Sequence, residues 1–266
     1  MSDAGHTNVQ RVIDLHCHIL PGIDDGPPTM AESVDLARAA VAAGTATIVA
    51  TPHVSYEYAN TAAGIAEGVA EVNATLRREG VALEVLPGAE IAMTRAGELS
   101  DAELGELALG GGPYLLLECP LSATAPGFEV LAGALGARGH RILLAHPERC
   151  PAFQRDPAAY ARLIGQGMLG QVTAGALVGR FGRHVQAFGQ QLLRDGLAHD
   201  VSSDAHSALR RPPGIRGELE QAGFGEQADW LSQDVPRAVL SGAPVPPAPA
   251  MPRQPGLVSR LLRRAS

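Results

Sequence analysis

Apolar runs of strand length alternate about seven times with alanine-rich segments of helical spacing, and this rhythm constrains the fold more than any other feature. The runs are Val12 to Leu15, Thr47 to Ala50, Leu83 to Leu86, Tyr114 to Leu117, Ile142 to Ala145, Gly170 to Thr173 and, less regularly, Leu197 to Val201. Between them, Met30 to Ala43, Ile65 to Glu79, Gly127 to Arg138, Pro157 to Gln166 and Phe181 to Asp195 carry apolar residues at helical spacing. Strand and helix repeated in this way predict parallel strands with right-handed crossovers. With 266 residues, 45% of them hydrophobic, the chain can bury the core of one large α/β domain. We expect that domain over residues 11–241, after a polar leader at 1–10.

The polar residues sit where such a fold would use them. The first run ends in Asp14-Leu-His16-Cys-His18 and continues to Asp25. Thr51-Pro-His53, Gly88-Ala-Glu90, Leu117-Glu118, Ala145-His146-Pro-Glu148-Arg149 and Ser203-Asp204-Ala-His206 each follow another run. Side chains two apart on a strand point the same way, so His16 and His18 stand side by side while Cys17 faces the opposite layer. An isolated His-x-His reads as readily as a pair of satisfied core histidines; six motifs in register do not. All lie at strand C-termini, the face on which a closed barrel assembles its active site. An open sheet concentrates ligands at one switch point and would not unite so many strands.

The candidate metal ligands are His16, His18, Asp25, His53, Glu90, Glu118, His146, Asp204 and His206. Nine exceed the three or four of one zinc ion, so two or three ions are implied. Imidazole and carboxylate without thiolate suit Mn, Fe or Zn. Glu90, near the middle of the set, is the candidate bridge between two ions. Such clusters activate water and clamp both oxygens of a phosphoryl transfer. Arg149, and Arg210 or Arg211, stand just beyond ligands, where a guanidinium grips phosphate oxygens in bidentate fashion. His6, His140 and His184 take the structural reading, and His199 is ambiguous. Glu148 reads as a partner orienting an imidazole or as a solvated acid. Tyr56 and Tyr58 would stack on an aromatic substrate or pack on the rim.

Other classes are excluded or disfavoured. A net charge of -7 argues against a nucleic-acid partner. No run approaches the length of a membrane span, and no signal core opens the chain, so the cytoplasm is the expected compartment. Cys17, Cys119 and Cys150 are an odd number without metal-finger spacing, and none begins a Cys-x5-Arg loop. From about Gly242 a proline-rich spacer leads into Leu257 to Arg264, a basic, apolar tail. We read that tail as a disordered end, with weak contact to an anionic membrane or a partner protein as the alternative.

Taken in order, these motifs, together with Arg211-Pro-Pro, resemble the polymerase and histidinol phosphatase (PHP) superfamily. Within it they resemble the bacterial manganese-dependent protein tyrosine phosphatases of capsule and exopolysaccharide clusters. The resemblance spans roughly Val12 to Pro213. It implies a distorted, TIM-like (β/α)7 barrel with three divalent ions, manganese foremost. His16, His18, Glu90 and Asp204 would hold the first ion, Glu90, Glu118 and His146 the second, and Asp25, His53 and His206 the third. Arg149 and Arg211 would bind phosphate, with Asp204 or His206, or a metal-bound water, donating the proton to the leaving group. The implied substrate is phosphotyrosine in protein, in this family the tail of a tyrosine autokinase. Three departures stand out: the loop after His53 is Val-Ser-Tyr-Glu-Tyr where relatives are basic, Glu118 is followed by Cys119-Pro120 where Phe-Pro is usual, and the tail has no counterpart. The competing readings are a small-molecule phosphatase such as histidinol phosphatase, a metal-dependent amide or lactone hydrolase, and a binding module that keeps its metal. The hydrolases generally want a bridging lysine, and this chain has none. A decayed site would have lost a ligand, and the set is complete.

Overall fold

Proline and glycine decide where the strands break, and the breaks place the site. The computed structural model describes residues 12–124 and 126–252. Among the described residues nine strands are formed: β1 (Val12–Cys17), β2 (Thr45–Ala50), β3 (His53–Val54), β4 (Glu84–Pro87), β5 (Glu90–Ile91), β6 (Tyr114–Glu118), β7 (Arg141–Ala145), β8 (Leu169–Thr173) and β9 (Asp200–Ser202). All pair in parallel, in a three-stranded sheet of order β1-β2-β4 and a six-stranded sheet of order β3-β5-β6-β7-β8-β9.

Each of the seven expected runs contains or overlaps a strand. The two additional strands, β3 and β5, are continuations across a break. After β2 the chain meets Pro52, which has no N–H to give a ladder. After β4 it meets Gly88, where a Cβ would lie 2.7 Å from Val49 Cγ1 and 3.1 Å from Leu109 Cδ2, so a side chain does not fit. Beyond these points the strands resume in the other sheet, with His53 directly opposite Glu90. Two candidate ligands are thereby set side by side by backbone register.

Helices cover the strands as the spacing predicts. Met30–Ala42 and Ala62–Arg78 begin at Thr29 and Thr61, whose side chains accept from the N–H groups of Glu32 and Gly64. Pro157–Gly165 begins at Asp156 with proline in its first turn. Phe128–Ala137 and Arg183–Arg194 follow. Their inner faces pack on a core that includes Leu15, Ile48, Leu116, Leu144 and Val201.

On the other flank of the three-stranded sheet, Cys17 bridges to Ala205, just past β9. The backbone bonds Asp204 N–H to His16 O at 2.8 Å and His18 N–H to Ala205 O at 2.9 Å hold the two chain segments together. Residues 243–252 contain no helix; Trp230 Nε1 donates to Pro246 O and Gln227 Nε2 to Ala250 O. The leader at 1–10 and the basic tail from Leu257 lie outside the described residues. Among those described, no helix is long and apolar enough to cross a membrane.

Candidate metal centre

All nine candidate ligands meet at the C-terminal ends of the strands. Four overlapping groups have ligand atoms within 4.8 Å of one another: His18, Asp25, His53 and His206; His16, His18 and Asp204; His16, Glu90 and His146; and His53, Glu90 and Glu118. Glu90 belongs to two of them. His146 Nε2 lies 2.6 Å from Glu90 Oε1, and His53 Nδ1 lies 3.0 Å from Glu90 Oε2. Asp25 Oδ1 lies 3.2 Å from His206 Nε2 and 3.5 Å from His53 Nε2.

A hydrogen-bond chain fixes which nitrogen of His16 faces the centre. Leu15 N–H donates to Ser202 Oγ at 3.2 Å, so that hydroxyl gives its own hydrogen to Asp200 Oδ2 at 2.7 Å. Gln171 Nε2 donates to the same Asp200 oxygen at 2.8 Å, which turns Gln171 Oε1 toward His16 Nδ1, also at 2.8 Å. The hydrogen of His16 therefore sits on Nδ1, and its Nε2 lone pair points inward. Asp24 Oδ2 does the same for His18 Nδ1 at 2.7 Å, and the Asp204 carbonyl for His206 Nδ1 at 3.0 Å. Gly26 lets that loop fold back, because a Cβ there would meet His18 O at 2.5 Å.

The inward nitrogens of His16 and His18 are 3.3 Å apart. Glu90 Oε2 stands 3.4 and 3.5 Å from them, and Asp204 Oδ1 3.5 and 3.6 Å. Four acceptors converge without a donor group between them, an arrangement that only positive charge resolves. His18 shows the demand: burial lowers its pKa, but hydrogen bonds to Asp24 and Glu90 outweigh burial and raise it to about 10. Burial also opposes ionisation of Glu90 and Asp204, yet His16 beside both, His146 beside Glu90, and Arg211 and Arg149 beside Asp204 hold them below the carboxylate range. Glu118, in contrast, is pushed up to about 7, first by burial and then by the charge of Glu90. His146 Nδ1 is buried with no hydrogen-bond partner among the described residues. The donor set and its uncompensated charge fit divalent metal ions.

Among the described residues, His146 (φ 37°) and Asp204 (φ 50°) are the non-glycine residues in the left-handed region, a cost that folds tolerate at working sites. Next to them, Arg149 Nη1 donates to Asp204 Oδ2 at 2.6 Å and Arg211 Nη2 donates to the same oxygen. Arg210 is exposed. A cavity of about 740 Å³ opens beside Asp25, His206 and Arg211, with Pro27 and Leu209 on its walls.

Asp24, Gln171, Asp200 and Ser202 had no assigned role in the sequence reading. A glutamine inside the apolar run 170–173 was the available signal for Gln171. Glu148 neither orients an imidazole nor meets solvent: it is fully buried, and its Oε1 accepts from Thr173 N–H at 3.0 Å. His140 pairs with Asp101 at 2.7 Å, and His199 Nδ1 accepts from Gly170 N–H, so both are structural. Tyr58 stacks on His53 at 5.7 Å, whereas Tyr56 lies exposed against Arg95 and Glu98.

Comparison with known proteins agrees with this geometry. The family described as "Capsular polysaccharide synthesis, CpsB/CapC" matches residues 12–224. Tyrosine-protein phosphatase YwqE of Bacillus subtilis (strain 168) is 38% identical over 201 residues, 75% of this chain and 79% of YwqE. Putative tyrosine-protein phosphatase CapC of Staphylococcus aureus is 30% identical over 204 residues, 76% of this chain and 79% of CapC. A crystal structure from work on YwqE of Bacillus subtilis and CpsB of Streptococcus pneumoniae, described there as "unique metal-dependent tyrosine phosphatases", superposes with a TM-score of 0.78 at 32% identity, covering 91% of this chain and 100% of that one. The phosphotriesterase homology protein of Escherichia coli (TM-score 0.55, 13% identity, 88% of this chain and 99% of that one) shares the fold alone. With four-fifths of its length inside the family's span, the chain belongs to the CpsB/CapC family of capsular polysaccharide synthesis.

Proposed function

We propose that the chain is a metal-dependent phosphatase that hydrolyses phosphotyrosine in protein. The observation that carries this is the meeting of two arginines on Asp204 at the edge of the acceptor cluster, in a chain whose relatives are named tyrosine phosphatases. We read the two sheets as arcs of one distorted seven-unit barrel, a reading supported by the bonds between β1 and the segment after β9. Three ions, manganese foremost with iron or zinc as alternatives, fit the nine donors. His16, His18, Glu90 and Asp204 would hold one, Glu90, Glu118 and His146 a second, and Asp25, His53 and His206 a third.

Bound ions of this kind supply a water ionised at neutral pH and neutralise phosphoryl oxygens. The chain's own residues do the rest. Arg149 and Arg211 present N–H donors to the phosphoryl group from beside Asp204. Gln171, Asp24 and the Asp204 carbonyl hold three imidazoles with Nε2 inward, so these rings are oriented before substrate arrives. Asp204 is held ionised, and burial disfavours the imidazolium of His206, whose Nδ1–H is given to the Asp204 carbonyl and whose Nε2 would face an ion, so neither side chain is a ready proton donor to the departing oxygen. A tyrosyl phenolate, with a pKa near 10, needs little such help. The 740 Å³ cavity beside the centre gives room for the polypeptide around the phosphotyrosine. The partner in this reading is a tyrosine autokinase encoded with the capsule machinery, met in the cytoplasm.

The test offers metal-stripped, manganese-reloaded protein a tyrosine-phosphorylated peptide, a serine-phosphorylated peptide and histidinol phosphate. The reading predicts the highest kcat/KM for the first, at least about tenfold above the others. Preference for histidinol phosphate would move the activity to small molecules.

A further inference from the structure

The end of β8 carries none of the nine candidate ligands, yet the segment that follows it reaches the site. The short helix Ala174–Leu177 leads to Arg180, whose N–H donates to Gly175 O at 3.0 Å and whose Nη2 donates to Glu218 at 2.6 Å. Gly175 closes this turn: a Cβ there would stand 3.1 Å from Arg180 Cδ and 3.6 Å from Phe181 Cε2. Half-buried Phe181 thus follows directly on an anchored residue and lies just before the helix Arg183–Arg194.

Its ring faces the two arginines of the site. Arg149 Cζ lies 4.7 Å from the ring centroid and Arg211 Cζ 5.9 Å. The two guanidiniums are like charges drawn to one oxygen of Asp204. That oxygen is a compromised anchor, because Asp204 also faces His16, His18 and His206 through its other oxygen. An aromatic face offers negative potential without an acceptor atom. It can therefore orient both guanidiniums while leaving their N–H groups unspent. A cavity of about 80 Å³ lies there, lined by Thr173, Gly175, Phe181, Asp204 and Arg211 among others.

We infer that Phe181 is a positioning residue that holds Arg149 and Arg211 together in place for a phosphoryl group, an inference that rests on the phosphatase reading for the identity of that group. Phe181 touches no candidate metal ligand by hydrogen bond, and its effect is on anion affinity, not on metal loading.

The test uses full-length, manganese-loaded Phe181→Leu, Phe181→Met and Phe181→Tyr, with p-nitrophenyl phosphate as substrate and inorganic phosphate as the bound anion, measured by calorimetry as well as inhibition. Phe181→Leu and Phe181→Met should raise KM and the phosphate dissociation constant by about tenfold, the worth of a partly desolvated cation–π contact. Manganese affinity and kcat should stay within about threefold, and Phe181→Tyr should restore phosphate binding. Unchanged phosphate affinity in the leucine and methionine variants, or equal impairment in the tyrosine variant, would overturn the inference. Absence of hydrolysis by the parent protein would defeat the phosphatase reading instead, while calorimetry would still report whether Phe181 sets phosphate affinity.

Discussion

His16 and His18 were legible because the two-residue period of a strand converts a spacing directly into a geometry. Their orienting partners were not, because they come from far along the chain: Gln171 is 155 residues from His16, and Asp200 a further 29. Nothing in the sequence separates the roles of Asp24 and Asp25, since two adjacent aspartates on a loop give no period that says which one faces His18 Nδ1. The buried Asp200 leads to a pH prediction. Burial pushes its carboxyl from 3.8 to about 7. The folded state then binds the proton more tightly than the unfolded chain, so this group's contribution to stability is present below about pH 4 and is lost as pH rises to about 7. Asp200→Asn keeps an acceptor oxygen and removes the ionisation. The melting temperature of the metal-free variant, relative to the metal-free parent, should rise steadily across that window, each unit of the gap being worth about 1.4 kcal/mol. Parallel curves for the two proteins would contradict the assignment.

At the scale of elements, the rhythm of apolar runs located strands to within a few residues, because buried parallel strands are apolar on both faces and stand out from their polar ends. The two breaks were less visible. Pro52 carried a signal, but the need for glycine at 88 arises from Val49 and Leu109, which only the folded chain brings against it. The short helices Met93–Ala96 and Asp101–Glu106 leave no mark in the sequence pattern because they hold too few turns to show a period. Gly88→Ala should destabilise the protein by about 1–3 kcal/mol through overpacking. It should also weaken manganese binding, because Glu90 follows two residues later in β5. Thermal denaturation and a manganese titration check the two effects together. A stable variant with normal metal affinity would show that the break does not position Glu90.

Across the whole molecule, six segments separated by up to 190 residues deliver nine donors to one end of the strands. That these nine residues come together was readable from strand ends alone, while the overlap of the groups they form was not. His18 stands with Asp25, His53 and His206 as well as with His16 and Asp204, and Glu118 stands with His53 and Glu90, because the splitting of β2 from β3 and β4 from β5 draws His53 toward Glu90. How the two sheets meet was likewise beyond the sequence, since Cys17 and Ala205 are joined by backbone bonds that any residue type makes. A cluster of acceptors built this way ties metal, stability and activity together. The most direct measurement titrates metal-stripped protein with Mn²⁺ while following phosphate release from a tyrosine-phosphorylated peptide and the melting temperature in parallel. We expect no release without metal, then activity and melting temperature rising together and saturating at three ions per chain, with release abolished and the rise in melting temperature reduced in His16→Ala. Full activity in the presence of a chelator, or metal binding that stabilises the fold without any release of phosphate, would contradict this expectation.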